Sequence, residues 1–314
     1  MTHAWADPTV GPFEDAAVVR PPSGPPLAFT VDFITPIVDD PATFGRIAAV
    51  NAMSDVYAMG GVPRVALAVC GFPADDLPLD VLEAIFRGGR DAAAEAGCAV
   101  IGGHTVEDAE LKYGLAVVGE LPATTVLDHT RARVGDRLVL TKPIGIGIVS
   151  QAIKHERATD ADVADVVAVM TTSNAGACEA ALDAGAHAAT DVTGFGLLGH
   201  LHHLLLGAGL AARLSAAAVP VLSAARRLVA AGTVPGGSTR NLDYVSAATT
   251  WAAALSDHER LLLADAQTSG GLLLVVPPAR CDDLVRALER HATPSAAVIG
   301  TVTDGTRGTI VVEA

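Results

Sequence analysis

Aromatic residues make up only 4% of the chain, and 21 Lys and Arg face 35 Asp and Glu, for a formal charge of −14. The first scarcity argues against a surface that stacks the bases of single-stranded nucleic acid. The second argues against nonspecific binding to DNA or to an anionic membrane, since both call for a basic face. Nucleotides stay within reach, because divalent cations held by carboxylates can bridge an acidic protein to phosphate. Cysteine is sparse as well. Cys70, Cys98, Cys178 and Cys281 stand far apart with no C-x-x-C pair, so neither a zinc ligand set nor a disulfide framework is expected. Cys70 and Cys98 read as reduced residues of core strands. No apolar run reaches the ~18 residues of a spanning helix, and the longest, Leu204 to Ala212, is broken by glycine. MTHAWADPTV at the N-terminus has neither the basic nor the apolar stretch of a secretory signal. A cytoplasmic protein without membrane or nucleic-acid partners is the expectation.

What is present is core material. Half of the 314 residues are hydrophobic, enough for about two domains at the usual ~150 residues each. Strand and helix signals alternate. DAAVV (15–19) and LAFTVDF (27–33) read as strands, and the segment from Asp39 to Gly61 reads as a helix with Asp39 or Asp40 as cap and Pro41 in its first turn. RVALAVCGF, CAVIGG and KYGLAVVGEL read as further strands around an amphipathic helix that closes at Gly97. The stretch 122–136 reads as a connection. A second alternating series follows, with RLVLTK, HAATDVT, LAARLS, GGLLLVV, AAVIGTV and GTIVVE as strands. The reading is α/β (α+β) with mixed sheets, divided into 1–125 and 126–314.

Several polar residues interrupt these apolar elements. Asn51 and Asp55 lie four apart and so share a helix face, with Ser54 beside them; a solvated face and a site are both open readings. Asp32 alternates with Val31 and Phe33 and points with Thr30, and Asp15 opens the first strand. Carboxylates converging from different elements are what magnesium needs, since it takes a few of them together with water and phosphate. Gly102-Gly103 after a strand, followed by His104-Thr105, suits a turn that brings backbone N–H groups to a phosphate. Gly194-Phe195-Gly196-Leu197-Leu198-Gly199 fits the dinucleotide pattern G-x-G-x-x-G. No Asp or Glu follows between Asp191 and Asp243 to hold a ribose, which argues against NAD; the glycines then let the helix approach a phosphate or another backbone, and Asp191 joins the metal candidates. His200, His202 and His203 read as one buried and two solvated histidines. LTKPIGIGI, with Lys142, and DAQTSGGLLL read as loops lining a cleft.

In order along nearly the whole chain, these segments resemble selenophosphate synthetase (selenide, water dikinase). That family lies in the superfamily of aminoimidazole ribonucleotide synthetase and thiamine monophosphate kinase. EDAAV (14–18), the run 30–61, GGHT (102–105), LTKPIGIG (140–147), TDVTGFGLLGHL (190–201), VPGGSTRN (234–241) and DAQTSGGLLL (265–274) make up the resemblance. It implies a two-domain aminoimidazole ribonucleotide synthetase-like fold, a homodimer formed by the N-terminal domain, and magnesium-ATP in a cleft. Asp15, Asp55 and Asp191 fall on the family's metal ligands. Glu14, Asp32, Asn51, Asp55, Gly103, His104 and Thr105 fall on its nucleotide contacts. The implied reaction takes selenide, ATP and water to selenophosphate, AMP and orthophosphate. Glu14 stands where Asp is common, and Ala266 where Pro is. The resemblance also implies a Cys or selenocysteine and a Lys upstream of the first aspartate strand. Met1–Phe13 contain neither, so no catalytic residue is assigned and these 314 residues alone are expected to turn over selenide poorly. A noncatalytic nucleotide-binding paralogue or regulatory partner, and another superfamily kinase such as one for thiamine monophosphate, are the alternatives.

Overall fold

The computed structural model describes residues 13–124 and 126–314; the stretch 1–12, on which the expected absence of Cys and Lys falls, lies outside the described residues. The first half runs β1 (Ala17–Val19), β2 (Leu27–Ile34), α1 (Pro41–Ala58), β3 (Val62–Phe72), α2 (Leu79–Glu95), β4 (Ala99–Glu107) and β5 (Lys112–Glu120). Its sheet has the order β1-β2-β5-β3-β4, antiparallel except where β3 and β4 run parallel. As the sequence suggests, Asp40 caps α1, its carboxylate accepting the Thr43 N–H at 2.7 Å. The helix is apolar nearly all round and correspondingly buried on nearly every side. It packs on α2 and β5, and against elements of the second half.

The α1–α2 contact is unusually close. A Cβ on Gly45 would stand 2.0 Å from the Ile85 carbonyl oxygen, and one on Gly88 would stand 1.9 Å from that of Ala42. Only glycine allows the two backbones to approach so far. Both helices cover one face of the sheet, where Leu115 and Val117 are buried. The opposite face is bare: Phe29, Val31, Phe33 and Leu67 are 41%, 58%, 52% and 47% exposed. Thus β2 turns its apolar residues outward and Thr30 and Asp32 toward α1.

The second half contains β6 (Arg137–Leu140), α3 (Ile146–Lys154), α4 (Asp160–Thr171), α5 (Ala175–Asp183), β7 (Ala188–Asp191) and α6 (Gly196–Ala208). It continues with β8 (Ala211–Ser215), α7 (Ser223–Ala230), α8 (Gly236–Val245), β9 (Thr249–Trp251), α9 (Asp257–Leu263), β10 (Leu272–Val276), α10 (Cys281–Arg290), β11 (Ala297–Thr303) and β12 (Ile310–Glu313). The sheet order is β7-β10-β6-β11-β8-β12-β9. Every residue of β10 is buried, because Leu272, Leu274 and Val276 join the core that continues around α1 while Leu273 and Val275 join a second core under α6. The end of α1 and the end of β7 therefore meet across the junction of the two sheets. All four cysteines are buried free thiols.

Two expectations about local structure are corrected. Gly102–Thr105 is not a turn after a strand: it lies within β4, paired with β3 from Leu67 opposite Gly102 to Cys70 opposite Thr105. A Cβ on Gly103 would sit 2.2 Å from the Ala68 carbonyl oxygen, so the neighbouring strand is enough to require glycine there. LTKPIGIG and DAQTSGG are mostly buried against each other, and of the two only Gly147 borders a cavity, of about 620 Å³, among the described residues. The Gln267 Oε1 accepts the N–H groups of Gly145 and Ile146, both at 3.1 Å, and Asp265 accepts that of Ile148 at 3.2 Å. The donors at the start of α3 are thereby satisfied inside the protein.

Candidate functional site

Four aspartates come together at the junction of the sheets. Asp15 leads into β1, Asp32 lies in β2, Asp55 sits in the last turn of α1 and Asp191 ends β7. With Glu14 they line a cavity of about 590 Å³. Each is held by a neighbour. Thr190 Oγ1 donates to Asp15 at 2.9 Å, Asn51 Nδ2 donates to Asp32 at 2.7 Å, and Thr30 Oγ1 donates to Asp55. Ser54 bonds Asp191. Asn51 and Ser54 are therefore buried and engaged, not a solvated helix face. Asn51 also accepts the Ser269 N–H at 2.7 Å, which ties α1 to the segment before β10.

Among the described residues the carboxylates of the cluster outnumber the cations: Lys142 acts on Asp191, but its ammonium donates to the Thr172 and Ser269 carbonyls. Asp15 Oδ2, Asp191 Oδ2 and Glu14 Oε2 are, among the described residues, buried without a hydrogen-bond partner, a state that native proteins seldom leave unexplained. Burial first, and then mutual repulsion, raises the pKa of Asp15 and Asp55 well above the ordinary carboxylate value. Asp191 is pushed up to about 7, chiefly by burial, and Asp32 is raised for the same reason. Glu14 reaches about 8 despite accepting the His129 N–H. Five carboxylates supply hard oxygen donors to the cavity, which suits a cation of the magnesium type. Asp15, Asp191 and His200 have potential ligand atoms within 4.8 Å of one another. The His200 Nε2, however, already accepts the Thr193 N–H at 3.1 Å. Burial depresses its pKa to about 3, so this neutral ring shapes the turn before α6.

The other nominated residues are distributed differently. Gly103, His104 and Thr105 border a separate cavity of about 330 Å³ with Arg90 and Tyr113. Because β1 and β4 are the two edges of one sheet, a single chain does not bring this segment to the acid cluster. His202 and His203 are half-buried and hydrogen-bonded to Gly308 O and Tyr244 Oη, not the solvated rings that the sequence suggests. Lys142 is buried and donates to the carbonyls of Thr172 at 2.6 Å and Ser269 at 2.8 Å; burial lowers its pKa to about 7. Gly196 brings α6 against backbone, since a Cβ there would stand 2.7 Å from the Ala264 carbonyl oxygen. Burial also pushes the Cys70 and Cys98 thiols up to about 11, which disfavours either as a nucleophile. Sequence reasoning missed Thr190 and His129. Thr190 precedes a nominated aspartate, which was a usable signal; His129, in a stretch read as a connection, gave none.

Comparison with known proteins is consistent along the chain. Residues 13–121 match AIR synthase related protein, N-terminal domain, and residues 133–313 match AIR synthase related protein, C-terminal domain. A selenide, water dikinase of Pelobacter propionicus is 45% identical over 300 residues, covering 96% of this chain and 86% of that protein. One of Geobacter metallireducens is 48% identical over 279 residues, covering 88% and 81%. Among solved structures, hydrogenase maturation protein HypE in complex with ATP superposes with a TM-score of 0.73 at 23% identity, covering 98% of this chain and 87% of that one. Thiamine-monophosphate kinase from Stenotrophomonas maltophilia gives 0.73 at 21% identity, covering 97% and 90%. At those identities the structures show the shared fold alone. Among the described residues no helix is long and apolar enough to cross a membrane.

Proposed function

The chain belongs to the selenide, water dikinases of the AIR synthase-related family, and we propose that its acid-lined cavity binds magnesium-ATP for the synthesis of selenophosphate from selenide and water, with release of AMP and orthophosphate. The observation that carries this reading is the orphaned pair Asp15 Oδ2 and Asp191 Oδ2, buried and facing each other's charge. Asp15, Asp55 and Asp191 would hold magnesium, which when bound supplies positive charge against the triphosphate. Thr190, Thr30 and Ser54 orient those carboxylates. Asn51 orients Asp32 on the nucleotide side; it is a positioning residue, since both ends of its amide are occupied within the protein. Catalysis of this kind rests largely on positioning and electrostatics.

The bare apolar face of the first sheet supports a homodimer, and the place of Gly103–Thr105 at the far edge supports a site completed by the partner's copy of β4. Four buried free thiols support a reducing, cytoplasmic location. We place the domain division at 125/126.

Calorimetry of ATP binding with and without magnesium tests the reading. Magnesium-dependent binding is expected, lost in Asp55→Asn and in a Val31→Asp variant that sediments as a monomer. Metal-independent binding, or a Val31→Asp monomer with full affinity, would overturn the respective claims. Phosphorus NMR with selenide present follows turnover, which is expected to be slow for these 314 residues.

A further inference from the structure

Asn174 does not do what its position invites. It is the residue before α5, where an asparagine side chain ordinarily accepts one of the helix's first free N–H groups. No such bond forms. Ser173 Oγ accepts the Ala175 N–H at 3.2 Å instead. Asn174 is only 2% exposed, and its side chain turns away from α5. There its Nδ2 lies 2.9 Å from Ser54 Oγ of α1 and 2.9 Å from the carbonyl oxygen of Gly270.

These two contacts fix which atom donates. A carbonyl oxygen only accepts, so the atom beside Gly270 O is the amide nitrogen, and the same nitrogen donates to Ser54. Each of its two hydrogens then has one acceptor. Ser54 Oγ, with one lone pair taken, still has a hydrogen of its own to give. The residue is buried, and its hydroxyl reaches Asp191. The order is therefore Asn174 Nδ2 to Ser54 Oγ to the Asp191 carboxylate, which links the start of α5, the last turn of α1 and the end of β7. The far anchor is firm as well. A Cβ on Gly270 would stand 2.0 Å from the Val192 carbonyl oxygen, and the adjoining Ser269 is held by Asn51 at its N–H and by Lys142 at its carbonyl.

We propose that Asn174 is a positioning residue for the cation site: it holds the Ser54 hydroxyl as a donor to Asp191, so that the unpartnered Oδ2 of that carboxylate meets a bound dication in one orientation. The inference rests on the magnesium-ATP reading of the cavity, whose lining includes Asp191 but neither Ser54 nor Asn174. Asn174 thus acts at two removes from the ion. Carboxylates that ligate a metal are commonly hydrogen-bonded from behind, and loss of such a partner weakens metal binding about 10- to 100-fold. Without Asn174, the Ser54 hydroxyl is free to turn to the Val50 carbonyl one turn back in α1, the bond that serines inside helices often make. Asp191 then loses a donor, and its carboxylate is free to rotate.

Manganese(II) is the probe, titrated into the full chain without nucleotide, with the unbound ion counted by electron paramagnetic resonance. Asn174→Ala is expected to weaken manganese binding about 10-fold, and Ser54→Ala by a similar factor. The double variant should bind no more weakly than the worse single one, because both substitutions cut one chain of bonds. A merely structural Asn174 predicts otherwise: a lower melting temperature with manganese affinity unchanged, or losses that multiply in the double variant. Either result would overturn the inference. If Asn174→Ala does not fold, Asn174→Ser enters the same cycle, since serine is favoured before a helix and its shorter side chain does not span to Ser54. A parent chain that binds no manganese would overturn the magnesium reading of the cavity, and this inference with it. A parent that binds the ion while the Asn174 variant binds it equally well refutes the inference alone.

Discussion

Asp191 and Asp265 are equally buried, at 1% and 0% exposure, and both stand beside glycine-rich segments, yet their surroundings are opposite. Asp265 accepts from Ser238 Oγ at 2.6 Å, from the Ile148 N–H at 3.2 Å and from Gln267 Nε2 at 3.1 Å. Among the described residues Asp191 keeps one oxygen with no hydrogen-bond partner, with Asp32 and Lys142 as its charged neighbours. Burial alone therefore does not mark a site. A buried oxygen with its donors in place is architecture; one without them awaits a ligand. The same test separates two glycine-rich segments that look alike as strings, since the donors at the start of α3 are already taken by Asp265 and Gln267.

The sharpest break of this comparison exchanges each carboxylate for an amide. Asp191→Asn should lower magnesium-dependent ATP affinity at least 100-fold while raising the melting temperature of the metal-free protein. Asp265→Asn should do the reverse, costing about 3 kcal/mol in denaturant unfolding, because an amide nitrogen would face the donors that now reach the carboxylate. Unchanged stability in Asp265→Asn, or destabilised metal-free Asp191→Asn, would erase the distinction.

A smaller effect follows from pH. The folded-state pKa of Asp191 is raised to about 7, so its protonated form stabilises the metal-free fold at low pH, and that stability is lost as pH rises through 7. An amide at this position does not titrate and has no such loss. The stability gap between the Asp191→Asn variant and the parent in chelator should therefore widen by up to about 2 kcal/mol between pH 5 and pH 7. Magnesium should close it. A gap that narrows with rising pH would mean that Asp191 is already satisfied by a cationic neighbour.

The smallest effects come from the donors. Thr190→Val removes the hydroxyl that fixes Asp15 and should weaken magnesium-dependent ATP binding about 10-fold with little change in unfolding. Ser238→Ala removes the hydroxyl on Asp265 and should cost about 1 to 2 kcal/mol of stability with nucleotide binding intact. If the two variants behaved alike, the contrast between the sites would fail.

Much of this was legible in the residues. The strand alternation around Asp32, the cap at Asp40 and the acids at strand ends all follow local rules, and the structure brings Asp15, Asp32, Asp55 and Asp191 into one cavity. What local rules could not reach was pairing between distant segments. Nothing near Gly102–Thr105 says that β3 extends alongside and turns a supposed loop into an edge strand. The partners of LTKPIGIG lie more than 100 residues away in DAQTSGG, and the alternation that makes Phe29, Val31 and Phe33 look like core reads identically when that face points outward. His129 was hidden for the same reason: its value depends on Glu14, which is 115 positions distant.

The close approach of α1 and α2 at Gly45 and Gly88 has an evolutionary edge. The helix that presents Asn51, Ser54 and Asp55 is seated by contacts that no side chain enters, so even Gly88→Ala would push the acid cluster out of register without touching it. Selection for phosphate chemistry would then be recorded as silence at two remote positions, where hydrogen is the whole permitted alphabet and every methyl is a loss of function at a distance.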